Sequence, residues 1–366
     1  MTPPRRGRLC LACEVIHGPL DEGVRIFAAS LARCLATSRD LLLISEKDSV
    51  LDGMKVHGAL ANRYFLSPDL ARLVAGFAPG EVVYVSWTSL TARAILRSSA
   101  LRSYARGARV GLVALQPRPS DALSRLIARV SGPDVVLTAG PGVERQARAL
   151  GLRAARVGAG VDLARFSPAA PDLRAELRRR AGIEPDDFVA LHVGHLKGSR
   201  NIDVLGEIAR LPRVRCLLVA SSSTPAEADL AARLGQAGVI VMSHHQDRIE
   251  RVYQLADAYL FPVTSELDAI ETPLSVLEAA ACDLTIVSTP FGGLPDLMGS
   301  AEGSGVRWVR STAEMIEEVG RLSRARPEAG ASAGTRRLVE SATWEAVALR
   351  ALAALEAEPP GGRVAP

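Results

Sequence analysis

A chain of 366 residues with 48% hydrophobic and 23% charged side chains exceeds one ordinary domain and can bury a core in each of two. It contains no run of 18 apolar residues, which excludes a membrane-spanning helix, and its five cysteines, an odd number, argue against a disulfide framework and for a reducing cytoplasm. The formal charge of +4 is uneven: residues 1–165 hold 23 Lys+Arg against 13 Asp+Glu, leaving 21 against 27 beyond.

The charged start runs directly into an apolar strand, Arg8–Ile16, which carries Glu14 and no small-residue cleavage site. No signal peptide is therefore expected. Cys10 and Cys13 lie within this strand, where residues three apart face opposite sides and cannot share a metal. They read as buried apolar residues. Further strands are expected at Asp40–Ser45, Val82–Trp87, Val110–Leu115, Val135–Ala139 and Ala155–Gly158, with Gly53–Tyr64 holding an additional one. Helical spacing marks Gly23–Ala36, Ser89–Tyr104, Ser120–Ser131 and Val143–Leu150. Short apolar runs without clean alternation suit strands covered on both faces, and their alternation with helices implies a parallel sheet.

The pattern then restarts. After an Arg-rich helix at Arg174–Ala181, strands are expected at Phe188–Val193, Val214–Ala220, Val239–Ser243, Ala258–Pro262, Leu284–Thr289 and Val306–Arg310. Helices near Asn201–Arg210, Ala226–Gly235, Arg248–Ala256, Pro273–Cys282 and Ala313–Ser323 separate them. Two successive doubly wound α/β sheets with a central cleft are the simplest account. The expected limits are 1–160, 161–340, a helix within 341–357 that packs back on the first domain, and a disordered tail at 358–366.

Glycine pairs at Gly140-Pro-Gly142 and Gly158-Ala-Gly160 do not continue to GxGxxG, and no P-loop occurs. They read as turns, and a dinucleotide-dependent dehydrogenase is poorly supported. More informative is Val193-Gly-His-Leu-Lys-Gly-Ser-Arg-Asn201. There a strand ends at Gly194, a loop carries Lys197 and Arg200, and a helix begins near Asn201. Basic side chains on a loop leaving the carboxyl end of a parallel strand make a diphosphate seat. The second informative stretch runs from Phe261 through an acidic loop with Glu266, Asp268 and Glu271 to Pro273, which opens a helix. First-turn N–H groups at Leu274 and Ser275 suit an anion, and Glu278 one turn later suits ribose hydroxyls. No DxD occurs, and adjacent His244 and His245 lack a third ligand at metal spacing. No metal or other cofactor is therefore expected.

Gly160-Val-Asp-Leu-Ala-Arg-Phe-Ser-Pro168 resembles the GVDxxxFxP linker of the retaining glycosyltransferases of family 4, which have the GT-B fold. Val193–Asn201 resembles that family's VGRLxxxKG. Pro273–Glu278 with Ala279–Cys282, Val287-Ser-Thr289 and Gly292-Gly-Leu-Pro-Asp-Leu297 resembles its PxLEAMACGxPVVAT…GGxPEL. Glu22-Gly23 resembles the glycine-rich loop before the first helix, and Trp344-Glu345 the start of the last one.

The resemblance implies a metal-independent transfer, with retention, from a UDP- or GDP-sugar to an acceptor hydroxyl. In it Arg200 falls on the family's Lys and His195 on its Arg, both toward the donor diphosphate with Gly194 and Lys197. Glu278 would bind ribose, and backbone near Ser243 the base. The family's sugar-gripping Glu falls on Ile270, so Glu271 or Asp268 is the expected replacement. Glu22, Gly23 and Gln116 fall on the acceptor or sugar side, Gln116 where the family often has a His. Closure of the domains would exclude water.

The acceptor class stays open between a saccharide, a natural product and a lipid-linked carrier. No nucleic acid is implied. The basic first half reads first as an arginine-rich solvated surface, and it also fits peripheral contact with the inner face of a membrane. Ile270, His195 and Gln116 favour an alternative, a catalytically degenerate nucleotide-sugar-binding protein. Epimerisation or phosphorolysis on the same fold is a weaker alternative, as no pyridoxal-binding lysine context is visible.

Overall fold

The computed structural model describes residues 7–221, 227–299, 304–325 and 333–357. The expected tail at 358–366 and most of the Gly330–Gly334 stretch lie outside them. The chain folds as two units. One holds the chain up to Ala159, the triplet Ile270–Thr272 and the chain from Trp344 onward; the other holds Gly160–Ala269 and Pro273–Thr343.

The first unit is built on β1 (Gly7–Ala12), β2 (Arg39–Ser45), β3 (Ser49–Leu51), β4 (Met54–Gly58), β5 (Glu81–Val85), β6 (Arg109–Ala114), β7 (Val135–Thr138) and β8 (Ala154–Arg156). Their order is β3-β4-β2-β1-β5-β6-β7-β8, parallel except for β3 against β4. The extra strand expected near Gly53–Tyr64 is thus the second arm of a short hairpin. Helices α1 (Gly23–Ala36), α2 (Pro68–Phe77), α3 (Ala92–Tyr104), α4 (Ala122–Ser131) and α5 (Pro141–Ala149) connect the strands. Cys10, Ile44, Val82, Val110 and Val136 line one fully covered face beneath α2 and α3. The final helix, Trp344–Glu356, packs on α1, where Trp344 meets Phe27 edge-on with centroids 5.3 Å apart. Cys10 and Cys13 are buried free thiols, and burial pushes Cys10 up to about 12. Past the ends of β1 and β5, buried Glu14 pairs with Arg97 and accepts from the Tyr84 hydroxyl at 2.8 Å.

The second unit has β9 (Phe188–Gly194), β10 (Val214–Ala220), β11 (Ile240–Met242), β12 (Ala258–Phe261), β13 (Thr285–Ser288) and β14 (Val306–Trp308), all parallel, in the order β11-β10-β9-β12-β13-β14. Its helices are α6 (Pro171–Arg180), α7 (Val204–Ile208), α8 (Ala228–Gln236), α9 (Ile249–Leu255), α10 (Leu274–Ala281), α11 (Leu294–Met298), α12 (Thr312–Ala325) and α13 (Arg336–Val339). Arg174 and Arg178 of α6 clamp Asp257 at 2.5 and 3.2 Å, and Asp257 accepts Val189 N–H at 2.7 Å. This fixes the amino ends of β9 and β12 together. Among the described residues no helix is long and apolar enough to cross a membrane.

Candidate functional site in the second unit

In the second sheet the chain leaves β9 toward β10 and later returns to its other side as β12. That reversal makes the carboxyl ends of β9 and β12 the switch point, where connecting loops part and open α/β sheets receive ligands. The two loops meeting there are those singled out in the sequence. Asn201 ties them together, its amide donating to Pro262 O and to Thr264 Oγ1 at 3.0 Å each.

The helix expected from Asn201 begins later. Gly198–Arg200 is a single 3-10 turn, Asn201 adopts a left-handed φ of 59°, and α7 starts at Val204. Lys197 and Arg200 therefore sit on a tight turn and not at the start of a helix. Arg200 is only 5% exposed, and its Nε has no hydrogen-bond partner among the described residues. Burial pushes the guanidinium below its ordinary value, against the opposing pull of Tyr259 and Asp268. A buried cation without a carboxylate partner is costly unless an anion joins it. Gly194 allows the arrangement, since a Cβ there would lie 3.1 Å from Arg200 Nη2. His195 and Lys197 are half-buried on the same turn.

After β12, α10 opens at Leu274 following Pro273 with no side-chain cap, which leaves its first-turn N–H groups to an anion. Ser275 lies 2.7 Å from the Tyr259 hydroxyl, which donates to Val193 O at 3.1 Å. Ser199 donates to Asp268 at 2.9 Å, so Asp268 closes onto the basic turn. One turn into α10, Glu278 accepts from the Tyr253 hydroxyl at 2.7 Å. Ser243 is exposed after β11. Gly194, His195, Lys197, Arg200, Asp268, Leu274 and Ser275 thus gather around one switch point, with Glu278 deeper on α10.

Burial pushes Glu278 up to about 7, with the Tyr253 hydrogen bond pulling the other way. A carboxyl raised on folding stabilises fully below its ordinary value of 4.5, and that contribution is lost as pH rises through about 7. Glu278→Gln should therefore flatten part of the fall in Tm between acid and neutral pH, as calorimetry would show. An unchanged slope would contradict the burial of this group.

Glu271, Glu22, Gly23 and Gln116 belong to the first unit. Glu271 is 3% exposed, and its carboxylate accepts the N–H groups of Gly142 and, at 2.9 Å, Val143, at the start of α5. Its own N–H donates to Leu115 O at 2.7 Å, and Thr272 Oγ1 donates to Ala139 O. Gln116 is buried, with Oε1 accepting from Arg118 at 2.6 Å. Glu22 is buried before α1 and pushed up to about 7 by burial, and its Oε2 lacks a partner among the described residues. Ile270 Cδ1 lies 3.2 Å from where a Cβ on Gly23 would stand. Tyr253, Tyr259 and His192 escaped the sequence reading, since each sits in an ordinary apolar helix or strand pattern.

Residues 187–324 match the family model for glycosyl transferases group 1. The chain is 35% identical over 153 residues to D-inositol 3-phosphate glycosyltransferase of Actinosynnema mirum, covering 37% of this chain and 35% of that one. For the enzyme of the same name from Thermobispora bispora the identity is 31% over 219 residues, covering 53% and 48%. The chain thus spans less than half the length of these curated relatives. The UDP complex of Anabaena HepE shares the fold with a TM-score of 0.74 at 15% identity, over 95% of this chain and 98% of that one. The architecture is therefore of the GT-B type, two parallel-sheet Rossmann-like units, and the second unit carries the group 1 glycosyl transferase match.

Proposed function

We propose that the chain is a glycosyltransferase that moves a sugar from a nucleotide diphosphate-sugar to an acceptor hydroxyl, with retention and without a metal. The observation that carries this reading is the buried Arg200 guanidinium, without a carboxylate partner among the described residues, at the β9/β12 switch point. The uncapped start of α10 is tied to the end of β9 through Tyr259, whose hydroxyl reaches both Ser275 and Val193 O, and Glu278 follows one turn on. A donor diphosphate supplies the missing negative charge, and Glu278 takes the ribose hydroxyls. In the transfer, the bond from the sugar's anomeric carbon to the phosphate oxygen breaks. The acceptor oxygen bonds to that carbon from the same face, and its proton passes to the departing phosphate. Arg200 and Lys197 stabilise the charge that grows on the leaving group.

UDP is the nucleotide to test first, since HepE is known in a UDP complex. The chain should bind UDP and turn over a UDP-sugar, alone or with an acceptor. Tight binding without transfer or hydrolysis would favour the degenerate binding protein, a reading supported by Ile270 and His195. No binding of UDP or GDP would overturn both.

The acceptor side includes peripheral contact with an anionic membrane, supported by α4. Leu123, Leu126 and Val130 form an exposed apolar stripe there, beside exposed Arg125 and Arg129. The chain should sediment with anionic vesicles and not with zwitterionic ones. Leu126→Asp with Val130→Asp should abolish this while leaving UDP binding intact. Equal sedimentation of the double variant would remove α4 from the contact.

A further inference from the structure

His192 lies on β9, fully buried, two residues before Gly194. Its Nδ1 stands 2.8 Å from the carbonyl oxygen of Leu260 on β12. A carbonyl oxygen can only accept, so Nδ1 carries the proton, and in a neutral ring Nε2 is left as a lone-pair acceptor. The ring is neutral: burial, with the Arg200 charge adding to it, lowers His192 to about 3. Nε2 has no hydrogen-bond partner among the described residues, and neither has Nε of Arg200. Both side chains border one small space, for a Cβ on Gly194 would lie 3.1 Å from His192 Nε2 and 3.1 Å from Arg200 Nη2. An orphaned acceptor and an orphaned donor thus flank the same glycine, each too deeply buried for bulk water to satisfy it. A diphosphate oxygen has no proton to give and can satisfy only the arginine.

We infer that His192 is a positioning residue for Arg200: its Nε2 takes a guanidinium N–H, directly or through one water held over Gly194, and so aims the cation at the donor diphosphate. This rests on the donor-site reading of Arg200. The lone pair fixes which edge of the guanidinium faces inward, leaving the other for phosphate oxygens. A planar cation oriented in advance loses less freedom on binding.

The test is a double-mutant cycle read as UDP affinity by calorimetry, with Tm as a check on folding. His192→Phe, or His192→Leu where the larger ring does not fold, should weaken UDP about tenfold, as expected for a lost hydrogen bond to a charged group. His192→Gln, which can place an acceptor oxygen near the lost Nε2, should recover most of it. In an Arg200→Ala background, His192→Phe should change UDP affinity less than about twofold, because residues that act through one contact are not additive. A further tenfold loss there, or no loss in His192→Phe alone, overturns the positioning role. Failure of the donor-site reading is distinct: Arg200→Ala by itself would then leave UDP affinity unchanged.

Discussion

Arg200→Met should weaken UDP binding by about a hundredfold and at the same time raise the Tm of the ligand-free protein. Both signs follow from one fact, a cation 5% exposed with no carboxylate paired to it among the described residues. In the free protein that charge has lost much of its hydration and gained only the pull of the Asp268 carboxylate. An apolar side chain of similar length removes the burden, and replacing buried charges with hydrophobic groups is often stabilising by about 1–4 kcal/mol. When UDP is bound, the same substitution removes charge-assisted contacts to the diphosphate. Two such contacts at about 1.5 kcal/mol each make roughly 3 kcal/mol, or about a hundredfold in affinity. Calorimetric titration and thermal unfolding on one sample would read both. A variant that loses stability while keeping UDP affinity would show Arg200 to be a packing residue. Arg200→Lys should fall between, since an ammonium keeps the charge and lacks the planar fork.

The strands around this site are legible in the sequence because each is covered on both faces and so reads as an unbroken apolar run. Phe188–Val193 and Ala258–Pro262 differ from β9 and β12 by a residue at the end. Helix starts are harder. Asn201 looks like a cap, but its left-handed backbone interrupts the chain, and α7 starts only at Val204. By contrast, α2 carries a visible start in Ser67-Pro68, with Ser67 accepting Leu70 N–H, although its short apolar stripe hides it. The donor-side residues are legible because loop, glycine and helix start are contiguous in sequence. Tyr253, Tyr259 and His192 are not, because an apolar helix or strand position looks the same whether its polar tip is used or only satisfied. What the sequence could not reveal about Glu271 lies about 130 residues away, in Gly140-Pro-Gly142. That pair reads as a turn, yet in the structure its glycines are what admit a carboxylate. A Cβ on Gly140 would stand 2.6 Å from Glu271 Cδ, and one on Gly142 2.7 Å from Oε1.

That geometry sets a role for Glu271 different from the sugar-gripping acid that the family resemblance suggests. A carboxylate 3% exposed, accepting two backbone N–H groups at the start of α5, is a helix-terminus ligand supplied from the distant triplet Ile270–Thr272. Negative charge at that end of a helix is favoured by the helix dipole as well as by the hydrogen bonds. Glu271→Ala should therefore destabilise the first unit by about 3–5 kcal/mol, two charge-assisted bonds at roughly 1.5–3 kcal/mol each less some relaxation. Glu271→Gln should recover only part, because its amide NH2 meets one of the two N–H donors head-on. Gly142→Ala leaves the acid in place and blocks its approach, so it should reproduce much of the loss. Denaturant unfolding of the three variants would resolve these differences. Glu271 would be a donor-sugar contact if Glu271→Gln kept the wild-type unfolding curve and lost only turnover. The anchoring role requires the reverse, with a stability loss shared by Gly142→Ala, in which no candidate catalytic side chain has changed.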